Sequence, residues 1–388
     1  MKAAPPPLTR LPDDERDFRS MVRELAESKV RPLVADMDRA AELDPALVKE
    51  LFSAGLMGIE VPQTYGGLGG GLFHVILAIE ELSTVDPAVA VFVDVQNALL
   101  ASAVLRHGSG DQKRRFLPRL AGGVVGAYAI SEEQAGSDAF AMTTTARLDG
   151  EEYVLSGTKA WTTNAMEAGL FLVYARTGET AGSPALTAFL VERDTPGLTI
   201  GPRIDKLGIR ASSTCDLRFE DVRVPRQNVL GRPDGGAQLA VETLNIGKLG
   251  IAAQLVGVAT GALRIALEHA RQREQFGQRI AEFQGVRFPL ARLAAEIEAA
   301  RVLLYNATRS VQQEDSRPAD RLRDTAMAKL IASDVAERAA SLAVETLGGI
   351  GFTTRRLAEK FYRDAKIGKI YEGTSNIQLR TISATLLS

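Results

Sequence analysis

The stretch LGIAAQLVGVATGALRIALEHA, residues 249–270, decides the fold class of this chain. Its apolar positions recur at alternating steps of three and four residues, which is the spacing of one face of an α-helix. These positions are Leu249, Ala252, Val256, Ala259, Leu263, Ala266 and Ala270. Because most of these side chains are small, the helix can approach its neighbours closely, and this predicts antiparallel packing in a bundle.

Two stretches further along the chain repeat this spacing. The first consists of Val286, Leu290, Leu293, Ile297, Ala300 and Leu304, and the second of Ala328, Ala332, Val335, Ala339 and Leu342. Pro289 is predicted to occupy the first turn of its helix, and a turn at residues 315–318 separates the two helices. Residues 237–388 are therefore predicted to form a C-terminal four-helix bundle.

The rest of the chain divides into a helical part and a strand-rich part. Helical spacing over residues 14–34, 45–56, 75–83 and 91–105 predicts an N-terminal all-α domain, residues 1–124. From residue 126 onward, alternating segments between glycine and proline turns predict the strands Tyr153–Leu155, Leu186–Glu192 and Leu217–Glu220. We thus predict an α+β fold, mostly helical, with a middle β-barrel or β-sandwich domain over residues 125–236.

Composition excludes several classes of function. A net charge of −2 over 388 residues gives no indication of nucleic acid or an anionic membrane as partner. The three histidines lie far apart in sequence, which argues against a histidine-built metal site, and no metal is predicted. Cys215, the single cysteine, is expected to be a small buried side chain in a reducing, cytoplasmic compartment. The segment Met1–Arg10 does not resemble a signal peptide, and no later segment is expected to be long enough to span a membrane.

The segment Ile370–Gln378, IYEGTSNIQ, contains a solitary acid, Glu372, between an aromatic residue and a glycine. Burial among apolar neighbours raises the pKa of a carboxyl group, so Glu372 is a candidate base near neutral pH. Gly373 would allow a ligand to approach the backbone closely. The alternative is purely structural, with Thr374 or Ser375 acting as the N-cap of a last helix.

Five other segments could contribute to a site, although each has a structural alternative. Residues 157–165 contain the only tryptophan, Trp161, which could be a core residue or could lie flat against a flat cofactor. The arginines of residues 271–284 could hold a diphosphate, and the glycines of residues 345–351 could admit a cofactor close to the backbone. Residues 128–138 and 206–214 have the composition of polar turns.

Taken together and in this order, these motifs resemble the acyl-CoA dehydrogenase family, over essentially the whole chain from about Arg16 to the end. Within that family the chain is most similar to the short/branched-chain (2-methylbutyryl) group. The segments that carry this similarity are Arg210–Cys215, Gly250–Gln254 and Phe361–Gly368.

The resemblance implies a bound FAD between the β domain and the bundle. The implied flavin site comprises Tyr128, Ile130, Ser131, Trp161, Thr162, Thr163, Thr374, Ser375 and Asn376, with Trp161 over one ring face and Thr163 hydrogen-bonded to flavin N5. The residues implied to hold the ADP half of a flavin bound mainly to a neighbouring subunit are Arg273, Phe276, Gln284, Glu345, Thr346, Gly348 and Gly349. Contacts to the CoA thioester are implied for Ser137, Asn245, Lys248 and Gly373.

The family places its catalytic glutamate at one of two positions, which correspond here to residues 372 and 247. Because position 247 is glycine, the resemblance assigns the base to Glu372. Two residues depart from the family pattern. Lys248 stands where arginine is usual and cannot reproduce a planar, two-pronged contact, and Ile246 replaces a residue that is often polar.

The implied reaction is α,β-dehydrogenation of a short or branched-chain acyl-CoA to the trans-2-enoyl-CoA. Glu372 would remove the α-proton while hydride leaves the β-carbon for flavin N5. The resemblance further implies electron-transferring flavoprotein as oxidant and a homotetramer. Three alternatives remain open at this point: a dehydrogenase for acyl-carrier-protein thioesters, a flavin oxidase or monooxygenase, and a helical scaffold that has lost its cofactor.

Overall fold

The computed structural model describes residues 7–180, 183–313 and 317–387 of the chain. The first part of the chain is helical, as predicted. Its α-helices are α1 (Asp13–Leu25), α2 (Val34–Ala40), α3 (Pro45–Ser53), α4 (Leu72–Ser83), α5 (Pro87–Asp94), α6 (Ser102–His107) and α7 (Gly110–Gly122). A π-helical segment, Val95–Ala101, joins α5 to α6 without a break. The helix at residue 87 begins earlier than predicted, because Asp86 caps it by accepting a hydrogen bond from the Ala88 amide.

The strands that follow form one eight-stranded sheet. They are β1 (Val125–Ala129), β2 (Thr145–Asp149), β3 (Glu152–Thr163), β4 (Ala168–Thr180), β5 (Ser183–Glu192), β6 (Leu198–Ile200), β7 (Thr214–Pro225) and β8 (Val229–Leu230). The strand order is β6-β7-β3-β2-β4-β5-β8, and β1 pairs with β4 in parallel. Phe171, Phe189 and Leu217 belong to the separate apolar core of this sheet, and Cys215 is buried there, as expected.

Strand β3 is longer than the sequence pattern indicated. Only Tyr153–Leu155 was predicted, because Gly157 resembled a turn residue. The structure places Gly157 inside β3, at a point where the register with β7 shifts. Its φ of 146° is unfavourable for other residues, and a Cβ atom there would lie 2.6 Å from Oγ1 of Thr144. The glycine therefore permits a bulge within the strand and does not end it.

The C-terminal part contains the predicted long helices. They are α8 (Gly236–Gln272), α9 (Gln284–Val311), α10 (Pro318–Leu347), α11 (Ala358–Ala365) and α12 (Ser375–Leu386). A short hairpin of β9 (Glu274–Gln275) and β10 (Gln278–Arg279) joins α8 to α9. Helix α10 packs against α8, α9 and α12. The placement of Pro289 was wrong, because α9 begins one turn earlier, at Gln284, and Pro289 is its sixth residue. Asp315 of the predicted turn lies outside the described residues.

Two helical stretches are longer and more apolar than expected from the sequence. The continuous helix Pro87–His107 and helix α8 both have the length and composition of a membrane span, so the expectation that no segment is long enough was wrong. Their apolar windows are, however, 94% and 78% buried against the rest of the chain. Core helices of globular proteins pass the same test, because they are apolar on nearly every side. Neither helix is therefore evidence for a membrane.

Glycines along one side of α8 allow the N-terminal helices to approach its backbone. A Cβ atom at Gly257 would lie 2.3 Å from the Glu80 carbonyl oxygen, and one at Gly261 would lie 2.5 Å from that of Thr84. Larger side chains at these positions would push α4 away from α8. This close packing fixes the position of α5 and of the π-helical segment relative to the middle of α8.

A buried ion pair organises the loop between β1 and β2. The Glu132 carboxylate accepts hydrogen bonds from Lys159 Nζ at 2.8 Å, from the Thr144 amide at 2.9 Å and from the Thr143 amide at 2.6 Å. Lys159 Nζ also donates to the Ile130 carbonyl oxygen at 3.1 Å. Both charged side chains are almost fully buried. The pair therefore holds the loop that contains the predicted flavin contacts Ile130 and Ser131.

We predict that Lys159→Met lowers the free energy of unfolding by about 3–5 kcal/mol, because it leaves the Glu132 charge buried without its cation. Denaturant unfolding at neutral pH measures this loss. Arg223→Met is the control, since Arg223 pairs with Asp149 and Glu152 on the exposed surface and its removal should change stability little. Equal losses in the two variants would show that burial does not strengthen the Glu132–Lys159 pair.

Candidate active site

The backbone around Glu372 has an unusual conformation. Glu372 has a φ of 53° and Gly373 a φ of 89°, so two successive residues lie in the left-handed region. The next residue, Thr374, is the N-cap of α12 and accepts a hydrogen bond from the Ile377 amide. The structural alternative for this segment is therefore correct for Thr374, but it leaves Glu372 outside the helix with its side chain free for another role.

The Glu372 carboxyl group lies against the bare backbone of α8. A Cβ atom at Gly247 would be 3.0 Å from Glu372 Oε2 and 2.7 Å from Leu99 Cδ2. The Oε2 atom is buried and has no hydrogen-bond partner within the described ranges. Positions 247 and 372, which the resemblance gave as alternatives for the base, therefore meet at one point in space.

Two buried side chains hold the backbone on either side of this acid. Lys329 Nζ donates to the Gly373 carbonyl oxygen at 2.8 Å. Gln378 Nε2 donates to the same oxygen at 2.9 Å and to the Glu372 carbonyl oxygen at 3.1 Å. Lys329 and Gln378 are both fully buried, so these bonds are protected from water. They stabilise the strained conformation of the segment.

The surroundings of Glu372 make it a base for neutral pH. Burial raises the pKa of its carboxyl group to about 7, against the opposing effect of the Lys248 and Lys329 cations, which lower it. Desolvation is the larger effect, because the buried Oε2 has lost its hydration and no hydrogen bond replaces it. A carboxylate with this pKa can accept a proton from a weak acid at physiological pH.

We predict that Lys248→Met moves the acidic limb of the pH–rate profile to higher pH. With Glu372 as the candidate base, its ionised form is the reactive one. The Lys248 cation lowers the pKa of that group, so removing the cation raises this pKa and a higher pH is needed for the same rate. The limb is measured as the rate of anaerobic flavin reduction against pH. Lys248→Arg keeps the charge and should leave the limb in place. An unshifted limb in Lys248→Met would contradict this role.

The predicted flavin contacts from the β domain lie on two strands, β1 and β3, that are not hydrogen-bonded to each other. Tyr128 is at the end of β1, and Thr162 and Thr163 are at the end of β3. Trp161 has a φ of 61° and is 55% exposed, so the alternative of a core tryptophan is wrong. Its amide donates to Asp216 Oδ1 at 3.3 Å, which fixes the backbone while the indole stays accessible to a ligand.

Buried polar atoms in this region fit a bound group with hydrogen-bonding atoms. The hydroxyl oxygens of Thr162 and Ser375 are buried and have no partner among the residues that the structure describes, and that of Tyr128 is buried beside Tyr174. Because unpaired buried hydroxyl groups are costly, such a cluster is typical of a ligand site. Among these buried hydroxyls the one on β3 belongs to Thr162, whereas the resemblance singles out Thr163, which is half-buried, for flavin N5.

The predicted ADP contacts lie elsewhere on the chain. Arg273, Phe276, Gln284, Glu345, Gly348 and Gly349 are exposed, and Thr346 is half-buried. They occupy the α8–α9 hairpin and the C-terminal end of α10. Lys329 of α10 lies beside Gly373, and the C-terminal end of α10 is about 27 Å further along the helix, at 1.5 Å for each residue from position 329 to position 347. These residues are therefore not brought together with Glu372 in one chain, which fits contacts to a flavin of a neighbouring subunit.

Two of the predicted substrate contacts, Asn245 and Lys248, lie in the N-terminal half of α8. Asn245 is buried and accepts a hydrogen bond from the Thr325 hydroxyl group, while Lys248 lies close enough to affect the pKa of Glu372. Ser137 is exposed on the loop that the Glu132–Lys159 pair holds.

Three residues near Glu372 were not anticipated: Lys329, Gln378 and Asp94. Burial, and next the Asp94 charge, raise the pKa of Tyr371. Burial, and next the Glu372 charge, raise the pKa of Asp94. The sequence did contain one signal, because Asp94 is a single acid within the apolar run VAVFVDVQNALL, residues 89–100.

Comparison with known proteins places the whole chain in one family. The N-terminal, middle and C-terminal domains of acyl-CoA dehydrogenase match residues 12–124, 127–222 and 234–387. The chain belongs to the acyl-CoA dehydrogenase family. The family, the mostly helical fold with its sheet and the enzyme class predicted from the sequence are confirmed, whereas the domain limits at residues 124 and 236 stay predictions.

Curated relatives in this family match over nearly the full length. A probable short/branched chain specific acyl-CoA dehydrogenase of Dictyostelium discoideum is 47% identical over 382 residues, which covers 98% of this chain and 92% of the relative. The mitochondrial short/branched chain specific acyl-CoA dehydrogenase of Bos taurus is 44% identical, with 97% and 86% covered.

Solved structures of this family have the same fold. Butyryl-CoA dehydrogenase from Megasphaera elsdenii superposes with a TM-score of 0.94 at 38% identity, covering 98% of this chain and 99% of that one. A glutaryl-CoA dehydrogenase from Mycobacterium smegmatis in complex with FADH2 gives a TM-score of 0.90 at 31% identity, with 97% and 95% covered. A chain from a study of the electron-transferring flavoprotein of Acidaminococcus fermentans gives 0.94 at 39% identity, with 98% and 99% covered.

Proposed function

We propose that this protein catalyses the FAD-dependent α,β-dehydrogenation of a short or branched-chain acyl-CoA to the trans-2-enoyl-CoA. The observation that carries the proposal is the Glu372 carboxyl group, whose Oε2 atom is buried against Gly247 without a partner among the described residues, and whose pKa burial raises to about 7. The names of the curated relatives specify acyl-CoA substrates of this kind. They do not favour a carrier-protein thioester or an oxidase reaction.

Glu372 performs the proton transfer. The α-carbon–hydrogen bond breaks and the proton forms an O–H bond with the Glu372 carboxylate. The electron pair of the broken bond becomes the second bond between the α- and β-carbons as hydride leaves the β-carbon. The Glu372 backbone amide would donate to the thioester carbonyl oxygen, where negative charge develops as the proton leaves. Bound FAD supplies the acceptor for the hydride that leaves the β-carbon.

The residues that fit FAD come from two subunits in this proposal. Tyr128, Ile130, Ser131, Trp161, Thr162, Thr163, Thr374, Ser375 and Asn376 would hold the flavin half. The exposed set at the far end of the bundle, from Arg273 to Gly349, would hold the ADP half of a partner's flavin. The complete site thus needs a second copy of the chain, which supports the predicted homo-oligomer, a homotetramer by resemblance.

The oxidant and the compartment are inferred from the family alone. We propose an electron-transferring flavoprotein as the acceptor of electrons from reduced FAD. The structural similarity to a chain studied with such a flavoprotein supports this type of partner. The cytoplasmic location stays a prediction.

We predict that Glu372→Gln retains bound yellow flavin but reduces turnover by roughly 10²–10⁴-fold, the usual contribution of a positioned base. The amide has the same shape but cannot accept the α-proton. Turnover is measured with an artificial electron acceptor, and flavin content is measured by absorbance. Glu151→Gln, in the exposed turn before β3, is the matched control and should be fully active. Undiminished turnover in Glu372→Gln would remove Glu372 from the role of base.

We propose that the acyl chain runs along α8 from Glu372 and that the contact between Tyr371 and Gln254 ends its space, which favours short chains. The Tyr371 hydroxyl group is hydrogen-bonded to Gln254, and Gln254 Nε2 donates to the Pro87 carbonyl oxygen at 2.8 Å. Gln254 follows Gly247 by seven residues, so this barrier lies about 10 Å along the helix from the Glu372 carboxylate.

Butyryl-CoA and 2-methylbutyryl-CoA should therefore bleach the flavin under anaerobic conditions at least tenfold faster than palmitoyl-CoA. A steric misfit of about 1.4 kcal/mol in the transition state already lowers the rate by that factor. Stopped-flow absorbance measures these rates. Faster bleaching by the long chain would contradict a barrier at Gln254. Rapid peroxide formation in air would instead support the oxidase alternative.

A further inference from the structure

Lys360 is a buried cation in α11, the helix that precedes the segment carrying Glu372. Its Nζ atom donates to Asp86 Oδ1 at 2.8 Å and to Asp364 Oδ2 at 2.6 Å, and all three side chains are at most 1% exposed. Burial by itself would lower the pKa of Lys360, but the charges of Asp364 and Asp86 outweigh burial and raise this pKa above its ordinary value. Because apolar side chains of similar volume are often as stabilising as a buried ion pair, stability alone does not account for this cluster.

Asp364 connects the cluster to the β domain. Its Oδ1 atom accepts a hydrogen bond from the Ile209 amide, in the polar segment 206–214 that leads into β7. A Cβ atom at Gly208 would lie 2.4 Å from the Arg363 carbonyl oxygen, so this segment packs directly on the backbone of α11. The position of α11 is therefore fixed against the β domain.

A series of hydrogen bonds leads from Lys360 to Tyr371. Asp86, which accepts from Lys360, is the N-cap of α5, and the next residue is Pro87. The Pro87 carbonyl oxygen accepts from Gln254 Nε2 at 2.8 Å, and Gln254 Oε1 accepts from the Tyr371 hydroxyl group. Lys360 and Tyr371 are thus linked across the start of α5 and the middle of α8.

The chain itself closes this series into a ring. Residues 366–370 connect α11 to Tyr371 and are held on the way. The Ser333 hydroxyl group of α10 donates to the Gly368 carbonyl oxygen at 2.9 Å, and a Cβ atom at Gly368 would lie 2.3 Å from Leu255 Cδ2 of α8. The ring therefore runs from α11 through α5 and α8 to Tyr371, and back along the chain to α11.

This ring holds the chain just before Glu372. On the other side of Glu372, Lys329 and Gln378 donate to the carbonyl oxygens of the segment, as described above. On the near side, the hydroxyl group of Tyr371 is bonded to Gln254. Glu372 thus lies between two anchors, and the ring that contains Lys360 supplies the first of them.

We propose that Lys360 is a positioning residue that acts on Glu372 through Tyr371. This proposal rests on the proposed role of Glu372 as the base. Lys360 fixes the separation of α11 and α5, and Gln254 transmits this geometry to the Tyr371 side chain. Because a base works only within about 3–3.5 Å of the reacting atom, a small shift of its backbone lowers the rate steeply. The ring holds position only, and no proton passes through it.

A double-mutant cycle tests the link, measured as the rate of anaerobic flavin reduction at saturating butyryl-CoA. Lys360→Met and Tyr371→Phe should each lower this rate by roughly 10–100-fold, the loss expected when a base is misplaced by about 1 Å. Because both changes break one ring, the double variant should be no slower than the slower single variant. In Lys360→Met the half-saturating butyryl-CoA concentration and the flavin content should stay near their wild-type values, because the binding groups remain.

Arg301→Met is the matched control for this cycle. Arg301 is another buried cation that joins the N-terminal helices to the bundle, where its Nε atom donates to Glu80 Oε1 at 2.8 Å. It is not part of the ring, so its effect on the rate should be small and should multiply with that of Tyr371→Phe. If the effects of Lys360→Met and Tyr371→Phe also multiply, the proposal is overturned.

Hydrogen exchange of the resting holoenzyme tests the anchor without turnover. In Lys360→Met the amides of residues 370–374 should exchange at least about tenfold faster than in the wild type, because a segment opens more often when an anchor is lost. Arg301→Met should leave their exchange unchanged. Wild-type exchange of these amides in Lys360→Met overturns the proposal. Failure of the proposed function would appear separately, as full activity in Glu372→Gln.

A variant without buried charge decides the proposal if Lys360→Met does not fold. It combines Lys360→Met with Asp86→Asn and Asp364→Asn, and such neutral replacements of buried ion pairs are often tolerated. The two amide side chains keep oxygen atoms that can accept from the Ala88 and Ile209 amides, as the carboxylates do. This variant should show the same loss of the saturating rate. Lower stability with a wild-type rate per bound flavin would indicate a merely structural role and overturn the proposal.

Discussion

The close approach of other elements to the backbone of α8 is the constraint on which the rest of this structure depends. Four glycines lie on one side of the helix: Gly247, Gly250, Gly257 and Gly261. A Cβ atom added to any of them would lie within 3.0 Å of an atom of a neighbouring element. Carbonyl oxygens of the N-terminal helices contact two of them, and carboxyl groups contact the other two. The same feature thus joins the domains and forms the floor of the candidate active site.

The pKa of Glu372 in this site is set by a balance between burial and the charges of two lysines. Burial raises the pKa of Glu372 more than Lys248 and Lys329 lower it. Lys329 also stabilises the strained backbone of Glu372 and Gly373, because it donates a hydrogen bond to the Gly373 carbonyl oxygen. One lysine therefore lowers the pKa of the candidate base and stabilises its backbone.

Local patterns in the sequence were sufficient for the long helices, and they drew attention to Glu372 as a candidate base. The apolar positions that begin at Leu249 could be recognised as one face of a helix, because helical spacing is a property of residues close together in sequence. The predictions based on Gly157 and Pro289, a turn and the first turn of a helix, were wrong. A residue type shows which conformations it tolerates, but it does not show where a strand or helix begins or ends. Asp94 and Lys329 could not be assigned a role, since their importance comes from groups that lie opposite them only after folding.

The contact between Gly247 and Glu372 limits how this catalyst can evolve. Both positions direct a side chain into one small volume, so a chain can place an acid there from either side but cannot accommodate two. A lineage that relocates its base must first vacate one position and pass through an inactive ancestor, or exchange both residues at once. For engineering, the paired exchange Gly247→Glu with Glu372→Gly would bring a carboxylate to the same volume from the opposite wall.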